Sequence, residues 1–394
     1  MAGNKKAKRN KTGVKDTLFT QGESHSLISD YDFRIVLAVT ALVIFGVIMV
    51  FSAGYYQTVS QETPDPYYYL KRQGFFALVG AVLMYICARI DYHFYKKLYI
   101  PILLVSLGFL IAVLTPIGTT INGAARYIEI AGIRITPSEI SKLAMILFTS
   151  VFIAKDPLRI RKFMTGILPL FAIMGVHAFL ILRQPNLSTA VVLCAIMFGI
   201  MIVAGLRMWY TGAAAGALVA GTVYILTMLP KTHHWYRRLT NFIDPFADAQ
   251  GEGYQVSQSL IALGNGGIKG LGLGNSVQKN LYLPEPQNDF ILAIIGEELG
   301  YIGVLILLIV YLYLIYRCFV VAANAPDKLG LFIASGVGIM LGLQVIINVA
   351  VVTASMPATG ITLPFISYGG TSLWIFMMSM GIVLNISRRR ETAA

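Results

Sequence analysis

Asp289 closes the segment Tyr282-Leu283-Pro284-Glu285-Pro286-Gln287-Asn288-Asp289, and an apolar run carrying Glu297 and Glu298 begins at Phe290. A carboxylate at that boundary suits two kinds of chemistry. It can cap the helix that starts after the prolines, accepting from its free N–H groups. It can also act as a general base, taking a proton from an attacking hydroxyl. The two pull against each other. A helix N-terminus favours the anion and lowers the pKa, whereas a base works best near ambient pH. A catalytic Asp289 therefore needs an opposing influence, either desolvation or repulsion from Glu285, Glu297 or Glu298. On a continuous helix Asp289 and Glu297 stand about 12 Å apart along the axis, able to line one cavity but not to share a proton. Glu297 and Glu298 are costly in mid-membrane, at roughly 2.5–3.5 kcal/mol each, unless they lie near the surface and reach water.

Other residues of interest fall in polar breaks between apolar runs. Glu139 and Lys142 follow Thr136-Pro137-Ser138, a helix start, and their i, i+3 spacing puts them on one face. They form either a local ion pair or a site in which Lys142 meets an anion. Arg126, Arg237, Arg238, Lys269 and Lys279 lie in loops, as solvated surface or as cations for a phosphate. The run Gly264 to Ser276 is glycine-rich but has neither the Gly-Lys-Ser/Thr of a phosphate loop nor a βαβ setting, so it reads best as a tight loop. His233 and His234 are adjacent and suit the membrane interface better than a metal.

The elements that position these residues follow from composition. The 394 residues are 56% hydrophobic and 13% charged, about half the usual charged share of a soluble domain. That makes the chain an all-α polytopic membrane protein. Apolar runs lie at about 33–54, 74–90, 98–116, 139–154, 164–182, 187–205, 209–229, 290–316, 329–354 and 365–386, which gives about ten transmembrane helices. Residues 1–32 form a basic cytoplasmic tail expected to lack fixed structure, 33–387 the membrane domain and 388–394 a second cytoplasmic tail. Basic residues of alternate loops, from Arg89, Lys96 and Lys97 to Arg317 and Lys328, join both tails on the cytoplasmic side. The net charge of +12 is thus a topology signal, and no nucleic-acid motif accompanies it. Cys87, Cys194 and Cys318 are too scattered for a metal pattern or a disulfide framework.

On this topology the large extracytoplasmic loop between helices 7 and 8 is 230–289. It holds five basic and five acidic residues, so placement matters more than bulk charge. The Arg126 loop, the turn Gln184-Pro185-Asn186 and the segment Met356 to Pro364 share its side of the membrane.

From about Asp32 to Arg388 the chain resembles the SEDS family (shape, elongation, division and sporulation; FtsW, RodA and SpoVE). The resemblance rests on Asn122-Gly123-Ala124 with Arg126; Pro137-Ser138-Glu139 with Lys142; Gln184-Pro185-Asn186-Leu187; Asp244-Pro245; Gly253-Tyr254-Gln255; Leu283-Pro284-Glu285 with Asp289-Phe290; Glu297-Glu298-Leu299-Gly300; and Leu363 to Gly370, which includes Ser367. It implies a peptidoglycan glycosyltransferase acting on lipid II, with Asp289 as the essential aspartate. Arg126, Glu139, Lys142 and Glu285 inherit candidacy as substrate-binding residues, and Lys279, Glu297 and Ser367 join that set. The chain departs from the family where the usual Pro-Asp-Leu-Gly-Thr reads Pro185-Asn186-Leu187-Ser188-Thr189, so one expected carboxylate is neutral. Tyr127 also stands where a tryptophan is usual.

The resemblance further implies inversion at the anomeric carbon. The acceptor hydroxyl loses its proton to Asp289, while cations or a divalent metal such as Mg or Mn steady the departing undecaprenyl diphosphate. A class B penicillin-binding protein and divisome components are the implied partners. The ending Asn385-Ile386-Ser387-Arg388 is nearer to the FtsW or SpoVE branch than to RodA. The rival functions are a lipid II flippase, an elongation polymerase of the RodA type and a transpeptidase scaffold.

Overall fold

A computed structural model describes residues 31–59, 64–121, 124–228, 242, 244–247, 250–251 and 253–388. The basic N-terminal tail, Asn122, Gly123, His233, His234, Arg237, Arg238, Arg389 and Arg390 lie outside the described residues. In lipid a helix satisfies every backbone N–H and C=O from within its own segment, so long apolar runs become helices. Here they are α1 (Phe33–Val59), α2 (Tyr68–Arg89), α3 (Tyr95–Ala112), α4 (Pro137–Lys155), α5 (Leu168–Arg183), α6 (Leu187–Val203) and α7 (Met208–Met228). After the large loop, whose own helix α8 is Tyr254–Gly266, come α9 (Ile291–Ala323), α10 (Lys328–Val352) and α11 (Gly370–Arg388). Eight of these helices are long and apolar enough to cross a membrane. Two further expected spans fall on α6, a shorter apolar helix of 17 residues, and on α7, of 21 residues.

The main body is the expected all-α membrane architecture, with one departure. The connection after α3 folds into a three-stranded antiparallel sheet, β1 (Gly118–Ile121), β2 (Ala124–Ile130) and β3 (Ile133–Ile135), in the order β1-β2-β3. Ile130 pairs with Ile133 across Ala131-Gly132, and both turn residues have positive φ, as a tight hairpin between twisted strands requires. β3 runs directly into α4, so the sheet fixes where that helix begins.

α4, α10 and α11 are mostly buried and form the centre of the bundle, with α2 laid along α11. The helix ends away from Asp289 are bound together by polar contacts. Asp32 pairs with Arg317, Asp327 accepts from Tyr92 and contacts His93, and the Asn385 side chain bridges Ala88 and Tyr92.

α9 is not one helix. Gly300 (φ 67°, ψ −172°) breaks it one turn past the paired glutamates. The break would strand backbone groups, but the glycine-rich loop supplies partners on both sides. Leu271 and Gly272 donate N–H bonds to the carbonyls of Glu297 (3.0 Å) and Glu298 (2.9 Å). Tyr301 and Ile302 donate to the carbonyls of Gly267 (2.9 Å) and Ile268 (3.2 Å). The expected tight loop is therefore a backbone splice through a broken helix. A Cβ on Gly270 (φ +81°) would collide with the Glu298 carbonyl and the Gly300 nitrogen. Gly205 shares the positive φ (+92°) but has open space around it. Gly270→Ala should therefore destabilise by more than the roughly 1–3 kcal/mol that a strained backbone alone costs, and Gly205→Ala by no more than that. Thermal unfolding of the two purified variants compares them.

Candidate active site

Pro284 and Pro286 hold the chain before α9 out of helix, and Glu285 between them has φ +46°. The helix is capped by Phe290 with no side-chain cap, so Asp289 lies one residue further out. The capping role open to Asp289 in the sequence is thus not the one its carboxyl takes. Its main-chain carbonyl instead accepts from Asn348 Nδ2 on α10 at 2.7 Å, and the same amide donates to Ile361 at 2.8 Å. A single asparagine joins the Asp289 turn to the segment before α11.

Burial by surrounding protein pushes the Asp289 carboxyl up to about 7. Its own N–H opposes the shift, Glu285 adds to it by repulsion, and the Arg126 guanidinium opposes it. Of the influences the sequence required, desolvation is the largest and Glu285 contributes. Glu297 and Glu298 contribute nothing to it. Both are 0% exposed, so neither reaches water, and both are bonded elsewhere. Glu297 accepts from Asn265 Nδ2 (3.2 Å), Ser276 Oγ and the Gln278 N–H (3.1 Å). Glu298 accepts from Lys279 Nζ (2.8 Å) and Ser52 Oγ (2.7 Å). Lys279, 2% exposed, has its ammonium inside that cluster and not at a surface.

The remaining candidates divide between those facing the aspartate and those held in the frame. Arg126 on β2 reaches across to the α5–α6 turn, donating to the carbonyls of Gln184 (3.3 Å) and Pro185 (2.5 Å). Its charge still bears on Asp289 and on Tyr127. Asn186, the departure from the usual aspartate, accepts from the Thr189 N–H (3.2 Å) and caps α6. Glu139 and Lys142 form the local ion pair at 2.7 Å, with both side chains largely buried at the start of α4. Ser367 Oγ accepts from the Leu363 N–H (2.8 Å) and closes the turn ahead of α11.

Sequence reasoning missed two arginines. Arg134 on β3 is exposed and acts electrostatically on Tyr127 and Tyr368, and Arg72 on α2 donates to Tyr68 Oη (2.8 Å) and the Gly132 carbonyl (2.8 Å). The hairpin brings Arg134 to this face and gives Arg72 its Gly132 carbonyl, and no local motif marked it. Among the described residues no three His, Cys, Asp or Glu side chains converge as a metal cage requires.

A polytopic helical membrane protein with a desolvated aspartate at one face is the class that fold and site define. The chain belongs to the FtsW/RodA/SpoVE family, whose model, described as cell cycle protein, matches residues 33–392. It is 38% identical to a probable peptidoglycan glycosyltransferase FtsW of Geobacter sp. (strain M18), over 93% of this chain and 99% of that one. It is 37% identical to the stage V sporulation protein E of Bacillus subtilis (strain 168), over 91% and 97%. Among solved structures it is similar to a chain of a peptidoglycan synthase complex (TM-score 0.74, 28% identity, 91% and 98% covered). It is also similar to the rod shape determining protein RodA of Thermus thermophilus (TM-score 0.67, 26% identity, 91% and 97% covered).

The electrostatics of the aspartate can be checked directly. Difference infrared spectroscopy of the Asp289 carboxyl should show titration near pH 7. Glu285→Gln should move the midpoint down by removing a repelling charge, and Arg126→Ala should move it up by removing an attracting one.

Proposed function

We propose that this chain polymerises lipid II into glycan strands, with Asp289 as general base. The observation that carries the reading is a carboxyl freed from capping and held near pH 7, at the face where the loops gather. A base takes the acceptor hydroxyl proton as the oxygen bonds to the anomeric carbon of the donor and the diphosphate leaves with the electron pair of the broken C–O bond. A pKa near the working pH suits that transfer. Attack opposite the leaving group inverts the centre and forms no covalent sugar–enzyme intermediate. The diphosphate leaves as a stable anion and needs no general acid, so a single carboxylate acting as base suffices.

The departing diphosphate needs cations. Arg126 carries its charge beside Asp289, and Arg134 and Arg72 add positive charge on the same face. Lys142 is neutralised by Glu139, which suits it to fixing the start of α4 at the site's edge. The apolar residues exposed along α2 and α3, among them Leu78, Val82 and Leu104, offer a surface on which a lipid tail can lie.

The orientation proposed is Asp289 outward at the cytoplasmic membrane with both termini inside. Arg89, Lys96, Lys155, Arg159, Arg207, Arg317 and Arg388 all lie at helix ends away from Asp289, as the positive-inside rule requires. The FtsW and SpoVE relatives favour septal wall synthesis in division or sporulation. A class B penicillin-binding protein is the partner proposed to cross-link the strands, within the divisome. Purified protein in nanodiscs should polymerise lipid II unaided. Asp289→Asn should lower the rate at least about 10²-fold with normal expression, and polymer at the parental rate would remove Asp289 as base. Because the base acts deprotonated, the parental rate should climb through pH 7 and fall below it as one proton is taken up.

A further inference from the structure

Lys279, Glu298 and Ser52 have no part in the chemistry above, yet they form a closed triangle in the interior. Lys279 Nζ lies 2.8 Å from Glu298 Oε1 and 3.0 Å from Ser52 Oγ, and Ser52 Oγ donates to the same carboxylate oxygen at 2.7 Å. The side chains of Lys279 and Glu298 are 3% and 0% exposed. Lys279 stands ten residues before Asp289 and Glu298 nine after it (289 − 279 and 298 − 289). The pair therefore closes the segment bearing the aspartate into a loop pinned at its base. Glu297 reinforces the same stem through Ser276 and the Gln278 N–H.

α1 supplies a second fastening. Gln57, just over one turn beyond Ser52, accepts from Gln287 Nε2 at 2.9 Å, and the Gln287 carbonyl accepts from the Tyr368 N–H at 2.8 Å. Stem and tip of the loop are thus both registered against α1. A buried ion pair is a poor stabiliser compared with apolar residues of the same volume, because both ions lose their water. What it adds is direction: three short bonds of defined geometry that fix one register of the loop. Contact with a diphosphate is a worse account of Lys279, since swinging outward would leave Glu298 charged in the interior with only the Ser52 hydroxyl to meet it.

We infer that Lys279, Glu298 and Ser52 are positioning residues that set the Asp289 loop against α1 and the broken helix. The inference rests on the reading of Asp289 as base. Its test is lipid II polymerisation by the full-length protein in nanodiscs, with kcat and KM measured separately. The double variant Lys279→Met/Glu298→Gln removes both charges together and leaves no lone ion in the interior. It should lose about 10- to 100-fold in kcat, since small misplacement of a catalytic group is that costly, with KM within about twofold of the parent.

Ser52→Ala keeps the ion pair and removes only the shared hydroxyl. It should lose about fivefold in kcat at an unchanged thermal midpoint, and Ser52→Thr should restore the rate. A folded double variant with parental kcat overturns the proposal. So does one that raises KM at parental kcat, which would make these residues substrate contacts. If the double variant does not fold, the two serine variants decide on the same terms. Asp289→Asn runs alongside: activity there would sink the base itself, whereas an inactive Asp289→Asn beside a fully active double variant would sink only the positioning role.

Discussion

Inside a bilayer no water is present to satisfy a broken helix, and that constraint organises this molecule around Gly300. The first half of α9 ends in the carbonyls of Glu297 and Glu298, and the second half opens with the N–H groups of Tyr301 and Ile302. All four find partners in residues 267–272. Gly270 is there because another main chain passes where its side chain would be, and Gly267 and Gly272 beside it hold positive φ. Once the loop is stitched to the helix, the positions of Lys279, Glu285 and Asp289 follow within narrow limits.

The electrostatics of the site come from charges already committed. Arg126 donates to two carbonyls of the α5–α6 turn, and Lys142 is held by Glu139. Neither is a free counter-ion pressed against Asp289, so burial and Glu285 outweigh the attraction and the carboxyl stays high. A bidentate arginine on Asp289 would have given a stable, permanently ionised and weakly basic group. The arrangement gives up that stability for a proton affinity near neutrality.

How far the sequence carried depended on the distance between interacting residues. Helix positions were legible because long apolar runs have one solution in lipid. Asp289 was legible as a boundary carboxylate because Pro284 and Pro286 mark the break locally, and resemblance to a family chose between cap and base. The partner of Glu298 was not legible, because Ser52 lies 246 residues away and nothing local links them. The glycine run read as a tight loop, but its role required Gly300, outside the run. Strands in the connection after α3 escaped notice because Thr119 to Ile135 is short, and only Ala131-Gly132 hints at a hairpin. Asn186 illustrates the opposite case. Loss of the usual carboxylate argued against an acid/base role there and left a hydrogen-bonding one open, and the amide oxygen accepts the N–H that an aspartate at that cap would take.

The break also explains how two adjacent glutamates survive in an apolar helix. Residues 291–298 are buried without exception, packed by α8, α10 and the loop, so they face protein on every side. From Tyr301 onward one side of the helix is exposed, with Ile306, Ile309 and Leu312 pointing outward as lipid-facing residues should. A straight continuous helix would run both halves along one line, and a segment ringed by protein would leave little room for the loop. Turning the chain at Gly300 separates the two environments. The half before it can hold charge because partners surround it, and the half after it can face lipid because it holds none until Arg317, which Asp32 meets at the far end. Asp289 stands at the open end of the buried half, where desolvation is strong enough to raise a carboxyl and the loops still admit a polar substrate.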